Sequence, residues 1–313
     1  MTSRRPLRLL PLLLLLPLAA CSVAPVVADR EPDQYDADDV LLRDHPVPHV
    51  VVREAFVTAA TPEENIDSPA SWLQDGRRML VATAKATDAL VVYDGDTGQR
   101  LRTVGGPGTA PGRLQRPNGV ATIDDRYLFV VERDNRRVQM FQLPEFTPLL
   151  VFGAAELQQP YGLWVRASGD GYEVLVSDAY MAGEDANGDD IVPPLDQLDR
   201  RFRRYQVARD GDGWSARAAG AFGDTSAAGA IRVPESLFGD PAHDRLLVAE
   251  EDVPTGTRLR EYDLQGRYLG RDVGAGLYRA QAEGIALMAC ADGSGWWVAS
   301  DQFADRTVFH LFE

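Results

Sequence analysis

The chain has 313 residues, of which 45% are hydrophobic and 25% are charged, so it can bury a substantial core and is neither disordered nor fibrous. Acidic residues outnumber basic residues by 47 to 32, and the basic residues do not gather into a patch, so we do not expect nucleic acid as a partner. Two cysteines, Cys21 and Cys290, allow at most one disulfide and exclude a small cystine-stabilised module.

The N-terminal residues have the pattern of a secretion signal. Three arginines precede the apolar run 9–20, which is too short to span a bilayer. The run ends in Leu-Ala-Ala-Cys21, which resembles a bacterial lipobox, and cleavage there would leave a lipid on Cys21. We therefore predict a signal peptide over 1–20, a membrane anchor at Cys21, and a location in the bacterial cell envelope, at the outer membrane.

The residues after the predicted lipid anchor have a different composition. Residues 21–44 are rich in Asp and Glu and have almost no periodic apolar face. This composition is typical of a solvated linker. We therefore predict a tether over 21–44 and one folded domain over 45–313.

Beyond the tether, one pattern of turns and short strands returns five times. Each unit opens with a turn and a strand, and the openings begin at Pro69, Pro117, Pro160, Pro234 and Ala282, which are 48, 43, 74 and 48 residues apart. A second, apolar strand and a third, alternating strand follow in each unit. Strands this short, bounded by Gly, Asp and Pro, are typical of four-stranded propeller blades. We therefore predict an all-β fold, a β-propeller.

Two of the five units depart from the common pattern. The long third unit indicates an insertion around 181–198. The fifth unit stops at Phe312 after its third strand, which leaves two expectations open. Either the segment 50–60 supplies a fourth strand and closes the ring, or a sixth blade is missing from this chain.

The sequence lacks the motifs of several hydrolase classes. It contains no Gly-x-Ser-x-Gly elbow, no Gly-x-x-x-x-Gly-Lys loop and no His-Glu-x-x-His helix. Trp296 stands where a thiol phosphatase built on Cys290 would need an arginine. Catalysis by a histidine or cysteine nucleophile is therefore not expected.

Carboxylates at the blade ends are the remaining candidates for chemistry. Asp67, Glu235 and Glu283 stand at the openings of three units, and Glu250 ends the next strand of the fourth unit, followed by Glu251 and an aspartate. Residues at one depth in several blades converge on the central mouth, where clustered carboxylates need a cation. Because all the donors are oxygen atoms, we expect calcium rather than zinc or copper.

Three stretches of the sequence resemble the β-propeller phytases. They are Asp-Ser-Pro-Ala-Ser-Trp at 67–72, Leu-Val-Ala-Glu-Glu-Asp at 247–252, and Ala-Glu-Gly-Ile at 282–285 followed by Ala-Asp-Gly-Ser-Gly at 291–295. The resemblance extends from Phe56 to Phe312. It implies a six-bladed, calcium-dependent phosphomonoester hydrolase that acts on phytate or related inositol phosphates through a metal-activated water.

The resemblance also implies roles for single residues. It places calcium ligands at Asp67, Glu235, Glu250 and Glu283, and phosphate-binding side chains at Lys85, Arg133 and Tyr161. Lys85 is the single lysine of the chain, which supports a special role because a compact ammonium on a flexible stem can reach one phosphate. Ser68 and Gln281 replace acidic residues of the family, so fewer calcium sites are expected.

The sequence is compatible with two other functions, and it does not indicate the oligomeric state. The second unit contains Arg-Pro-Asn-Gly-Val at 116–120 and resembles an NHL repeat, which occurs in propellers that bind partners without catalysis. A calcium-dependent lactonase of similar fold would use a comparable acidic mouth.

Overall fold

The computed structural model describes residues 49–303 and 307–313. The predicted signal peptide, the anchor at Cys21 and the tether lie outside these residues. No helix in the described part of the chain is long and apolar enough to span a membrane. Apart from single turns of 3₁₀ helix such as Pro62–Glu64 and Lys85–Thr87, the regular structure described here consists of strands β1–β19.

The strands form five antiparallel sheets, each built from strands that are consecutive in the chain. Blade 1 contains β1 (Ile66–Gln74), β2 (Arg77–Ala84), β3 (Ala89–Asp94) and β4 (Arg100–Gly105). Blade 2 contains β5 (Pro117–Ile123), β6 (Tyr127–Glu132), β7 (Arg137–Gln142) and β8 (Thr147–Phe152). Blade 3 contains β9 (Pro160–Ser168), β10 (Gly171–Asp178), β11 (Phe202–Asp210) and β12 (Gly213–Phe222). Blade 4 contains β13 (Pro234–Asp240), β14 (Arg245–Glu250), β15 (Arg258–Tyr262) and β16 (Tyr268–Val273). Blade 5 contains β17 (Gln281–Ala289), β18 (Gly295–Gln302) and β19 (Thr307–Phe312).

This architecture confirms the predicted all-β propeller of five blade units. The first strands of neighbouring blades contact one another in chain order, from β1 through β5, β9 and β13 to β17. The predicted insertion lies between β10 and β11 of blade 3. The strands nearest the common axis are therefore the strands that open each sequence unit.

The core lies between the blades, because the second strand of a blade is buried on both faces. Alternate side chains of such a strand belong to different apolar clusters, one with the preceding blade and one with the following blade. The pairs that divide in this way are Leu128 and Phe129, Val174 and Leu175, and Leu247 and Val248. This double burial explains why these strands are continuous apolar runs in the sequence.

Blade 5 differs from the others in its number of strands and in its exposure. Trp297 is 2% exposed against blade 4, whereas Met288 and Phe309 are 62% and 67% exposed. Residues 50–60 do not form a strand, so this segment does not supply a fourth strand to blade 5. The ring of Phe56 instead packs on Gly98 of blade 1. The fifth sheet therefore has three strands in the described residues.

Every first strand contains a β-bulge at the same place. In blade 1 the pairs Ile66–Ala84 and Pro69–Ala82 enclose one extra residue on β1. The same shift follows Pro117, Pro160, Pro234 and Ala282 in the other blades. A bulge interrupts the side-chain alternation and can turn a side chain towards a site. The bulges therefore mark five equivalent positions around the axis.

Candidate functional site

The bulges bring the residues of the candidate site to equivalent positions. We call the first residue of each bulge an inner-bulge residue, and the five are Asp67, Asn118, Tyr161, Glu235 and Glu283. A Cβ atom added to Gly119 would lie 2.7 Å from the carbonyl oxygen of Tyr161, and one added to Gly162 would lie 2.7 Å from that of Glu235. Successive bulges therefore approach one another closely, and glycine at the second bulge position permits the approach.

A second set of residues lies at the end of the second strand of each blade or directly after it. We call these the strand-end residues, and they are Lys85, Arg133, Ala179, Glu251 and Gln302. In four blades the backbone N–H of this residue donates to the carbonyl of the residue two before the inner-bulge residue, at 2.8–3.1 Å. The hydrogen bonds show that these positions are equivalent and that they lie at the same end of the propeller as the bulges.

Blades 4 and 5 together form an acidic group. Glu235, Glu251 and Glu283 each offer a carboxylate oxygen, and these oxygens lie within 4.8 Å of one another. Glu235 and Glu251 are 3% and 2% exposed. Carboxylates this close and this buried repel one another unless a cation or a proton compensates their charge. The group is therefore suited to hold a hard divalent cation.

Blade 1 and blade 3 contribute a basic and phenolic pair on the other side. The ammonium of Lys85 lies 2.9 Å from a carboxylate oxygen of Asp67. It also donates to the hydroxyl of Tyr161 at 3.4 Å and lies 5.7 Å from the centre of that ring. Lys85 is only 8% exposed. An ammonium in this position could exchange Asp67 for a phosphate.

Arg133 occupies the strand-end position of blade 2. Its guanidinium donates to the carboxylate of Asp134 at 2.8 Å, and its side chain is 12% exposed. Because Lys85 and Arg133 are strand-end residues of neighbouring blades, blades 1 and 2 carry positive charge where blade 4 carries Glu251. The mouth therefore has an acidic side and a basic side.

Two of the predicted calcium ligands, Asp67 and Glu250, lie outside the acidic group, and Glu250 has a role in the fold. Its carboxylate accepts hydrogen bonds from the backbone N–H groups of Arg232 and Val233, at 2.8 and 2.9 Å. Burial raises the pKa of Glu250, and these hydrogen bonds oppose the rise. The three-carboxylate group contains Glu251 in its stead. Glu250 therefore holds the chain that leads into β13.

The same arrangement recurs in four blades and defines a carboxylate clasp. At the paired end of the second strand, a fully buried acid accepts backbone N–H groups from the segment that precedes the first strand. The clasp residues are Glu132, Asp178, Glu250 and Asp301. Burial also raises the pKa of Asp178.

The structure thus brings together most of the predicted site residues in two groups. Glu235 and Glu283 meet in the acidic group, and Asp67, Lys85 and Tyr161 meet in the basic group. From the sequence, Glu251 is one of the candidate blade-end carboxylates but not a predicted ligand, and Asn118 is not a predicted site residue. Their equivalence to Lys85 and Tyr161 in the repeat was the available signal.

Comparisons with known proteins concern the fold. No protein-family model and no curated protein matches the chain. Similar solved structures include hydrazine synthase from Kuenenia stuttgartiensis, with a TM-score of 0.45 and 11% identity over 79% of this chain and 59% of that chain. Virginiamycin B lyase from Staphylococcus aureus has a TM-score of 0.44 and 11% identity, over 79% of this chain and 70% of that chain. A functionally unknown protein from Desulfotomaculum acetoxidans has a TM-score of 0.46 and 14% identity, over 79% and 69%.

The resemblance to phytases rests on the sequence motifs alone. The chain spans less than two thirds of the hydrazine synthase chain.

Proposed function

We propose that the protein is a calcium-dependent phosphomonoester hydrolase whose active site is the mouth formed by the inner-bulge and strand-end residues. The observation that carries the proposal is the pairing of an acidic group with a neighbouring lysine and tyrosine at equivalent blade positions. A cation site beside phosphate-binding side chains is what the hydrolysis of a phosphomonoester requires.

The chemistry of the donors fits calcium. All three donors in the acidic group are carboxylate oxygens, which bind hard cations and not soft ones. Two donors come from blade 4 and one from blade 5, and calcium accepts such irregular oxygen sets more readily than magnesium does. Glu235, Glu251 and Glu283 would hold the ion. When bound, calcium would neutralise phosphate charge and lower the pKa of a bound water for attack.

The residues of the basic side would bind and orient the phosphate. Lys85 would exchange its ion pair with Asp67 for a pair with a phosphate oxygen, since its flexible stem permits the small movement. Tyr161 fixes the direction of the ammonium through its hydroxyl. Arg133 would add a second positive charge from blade 2. Phosphates entering a chain of net charge −15 need such local compensation.

Inositol phosphates are the substrates that we propose, on the strength of the sequence resemblance. Several phosphates on one ring would allow the cation and the basic side to hold different phosphates at once.

A lipid anchor at Cys21 would place this activity at the cell envelope. The Cys21→Ser variant lacks the anchor residue. In a detergent phase separation it should partition into the aqueous phase, whereas the wild type should partition into the detergent phase.

A binding propeller without catalysis is the second candidate. The observation that favours it is the ion pair between Lys85 and Asp67, which already compensates the ammonium. Such a propeller would bind calcium or an anionic partner and release no phosphate.

Phosphate release from inositol hexakisphosphate, with calcium and with a chelator, tests the proposal. We expect release that requires calcium and that falls at least about a hundredfold in Glu251→Gln and in Lys85→Met. The exposed Glu184→Gln, in the insertion of blade 3, is the matched control and should behave as the wild type. Calcium binding without release would favour the binding propeller, and the absence of both would contradict the calcium-dependent hydrolase.

A further inference from the structure

Asn118 is an inner-bulge residue whose side chain is not explained by the fold. It is completely buried, and neither its amide nitrogen nor its amide oxygen has a hydrogen-bond partner. Burying a polar group without a partner costs about 1–3 kcal/mol. Buried amides in proteins are nearly always paired, so an unpaired one indicates a bound partner that belongs there.

Another buried amide in the same blade shows the contrast. Gln139 is also completely buried, but its nitrogen donates to the carbonyl of Arg113 and to Glu132, both at 2.7 Å. Its oxygen accepts from the backbone of Gly112 at 2.9 Å. Blade 2 can therefore satisfy a buried amide from its own atoms where the role is structural, and it does not do so for Asn118.

The position of Asn118 relative to the basic side identifies the chemistry of the ligand. Asn118 belongs to blade 2, and Lys85 of blade 1 reaches past that blade to Tyr161 of blade 3. The ammonium therefore lies on the side of the mouth where Asn118 sits. An anion that takes the place of Asp67 beside this ammonium would need hydrogen-bond donors, so the amide nitrogen is the atom of Asn118 that acts.

We propose that Asn118 is a substrate-binding residue whose amide nitrogen donates a hydrogen bond to a phosphate oxygen held by Lys85 and Tyr161. The inference rests on the proposed function for the identity of the phosphate group. It does not require hydrolysis, because the hydrogen bond forms on binding. The amide would complete a phosphate subsite between blades 1 and 3.

Calorimetric titration with inorganic phosphate, in the presence of calcium, tests the inference on the full chain. We expect Asn118→Ala to weaken phosphate binding about tenfold, the value of one hydrogen bond to a charged group. Its melting temperature without phosphate should fall less than that of Gln139→Ala, because a cavity forms but no hydrogen bond to the protein is lost. Asn118→Asp should weaken phosphate binding further, since its carboxylate repels the anion.

Gln139→Ala is the matched control, and it should lower the melting temperature while leaving phosphate affinity unchanged. Two results would overturn the inference. They are wild-type phosphate affinity in Asn118→Ala, whatever its melting temperature, and tighter calcium binding in Asn118→Asp. If the wild type binds phosphate through Asn118 but releases none from a monoester, the inference stands and the proposed hydrolysis fails.

Discussion

Glu250 and Glu251 are neighbours in the chain and are both almost fully buried, yet their carboxylates have different roles. Glu250 accepts backbone hydrogen bonds that hold the start of β13, and Glu251 shares the acidic group with Glu235 and Glu283. The same division holds in blade 2, where Glu132 is a clasp and Arg133 follows it. One position of the repeat holds the start of the first strand in four blades, and the next position is the one that varies in charge around the mouth.

The largest expected effect separates the clasp from the acidic group. Glu250→Ala should lower the free energy of unfolding by about 3 kcal/mol, because it leaves two buried N–H groups without acceptors. Glu251→Ala should lower the free energy of unfolding by less than Glu250→Ala does in a chelator, since its removal also relieves repulsion among the three clustered carboxylates. Urea unfolding of both variants measures the difference. Equal losses would break the distinction between the two glutamates.

A second prediction tests whether the bulges approach one another as described. A Cβ atom on Gly162 would lie 2.7 Å from the Glu235 carbonyl oxygen, whereas one on Gly284 would meet only the Ser300 hydroxyl, at 3.3 Å. Gly162→Ala should therefore cost about 2 kcal/mol, and Gly284→Ala should be close to neutral. Thermal unfolding distinguishes them. A neutral Gly162→Ala would mean that the inner strands are further apart.

A third prediction sharpens the contrast between the acidic and basic sides. Because Asp67 competes with phosphate for Lys85, Asp67→Asn should raise phosphate affinity in a chelator by about tenfold. Glu283→Gln, in the acidic group, should not have this effect in the same buffer. Isothermal titration with phosphate provides the measurement. An affinity that falls in Asp67→Asn would show that the carboxylate positions Lys85 rather than competing for it.

The smallest expected effect concerns Glu64, which belongs to neither the acidic side nor the basic side of the mouth. Glu64 forms two hydrogen bonds to Arg100, at 2.7 and 2.8 Å, and this guanidinium lowers the pKa of the carboxyl. A lowered pKa in the folded state stabilises the fold above the ordinary glutamate pKa, and the contribution is lost as the pH falls through the lowered value. Since the pair is partly exposed, Glu64→Gln should cost a few tenths of a kcal/mol at pH 7 and nothing at pH 2. Unfolding at both pH values measures this, and a loss that persists at pH 2 would assign the effect to packing.

Much of the fold could be predicted because each blade repeats the same sequence pattern of turns and short apolar runs. The prolines at 117, 160 and 234 all open first strands, as predicted. The number of strands in blade 5 could not be predicted, since the segment 50–60 alternates as a strand would and yet packs through Phe56 on blade 1. Alternation indicates a strand only where a sheet edge accepts it.

The candidate site could be predicted less completely than the fold. Charge drew attention to the run of acids that contains Glu250 and Glu251, but periodicity cannot decide which of two adjacent acids faces the axis. That choice depends on where β14 stops and on the bulge in β13, which shifts the alternation by one residue. Asn118 carries no charge and gave no signal by itself. Only its alignment with Tyr161 and Glu235 within the repeat identifies it.

Anomalous diffraction from crystals soaked in calcium tests the central claim most directly. We expect one strong peak among Glu235, Glu251 and Glu283, with a carboxylate oxygen of each at roughly 2.3–2.6 Å from the ion. The peak should be absent from Glu251→Gln crystals and present in those of Glu184→Gln. A wild-type crystal that binds calcium only elsewhere, or not at all at millimolar concentration, would contradict the account.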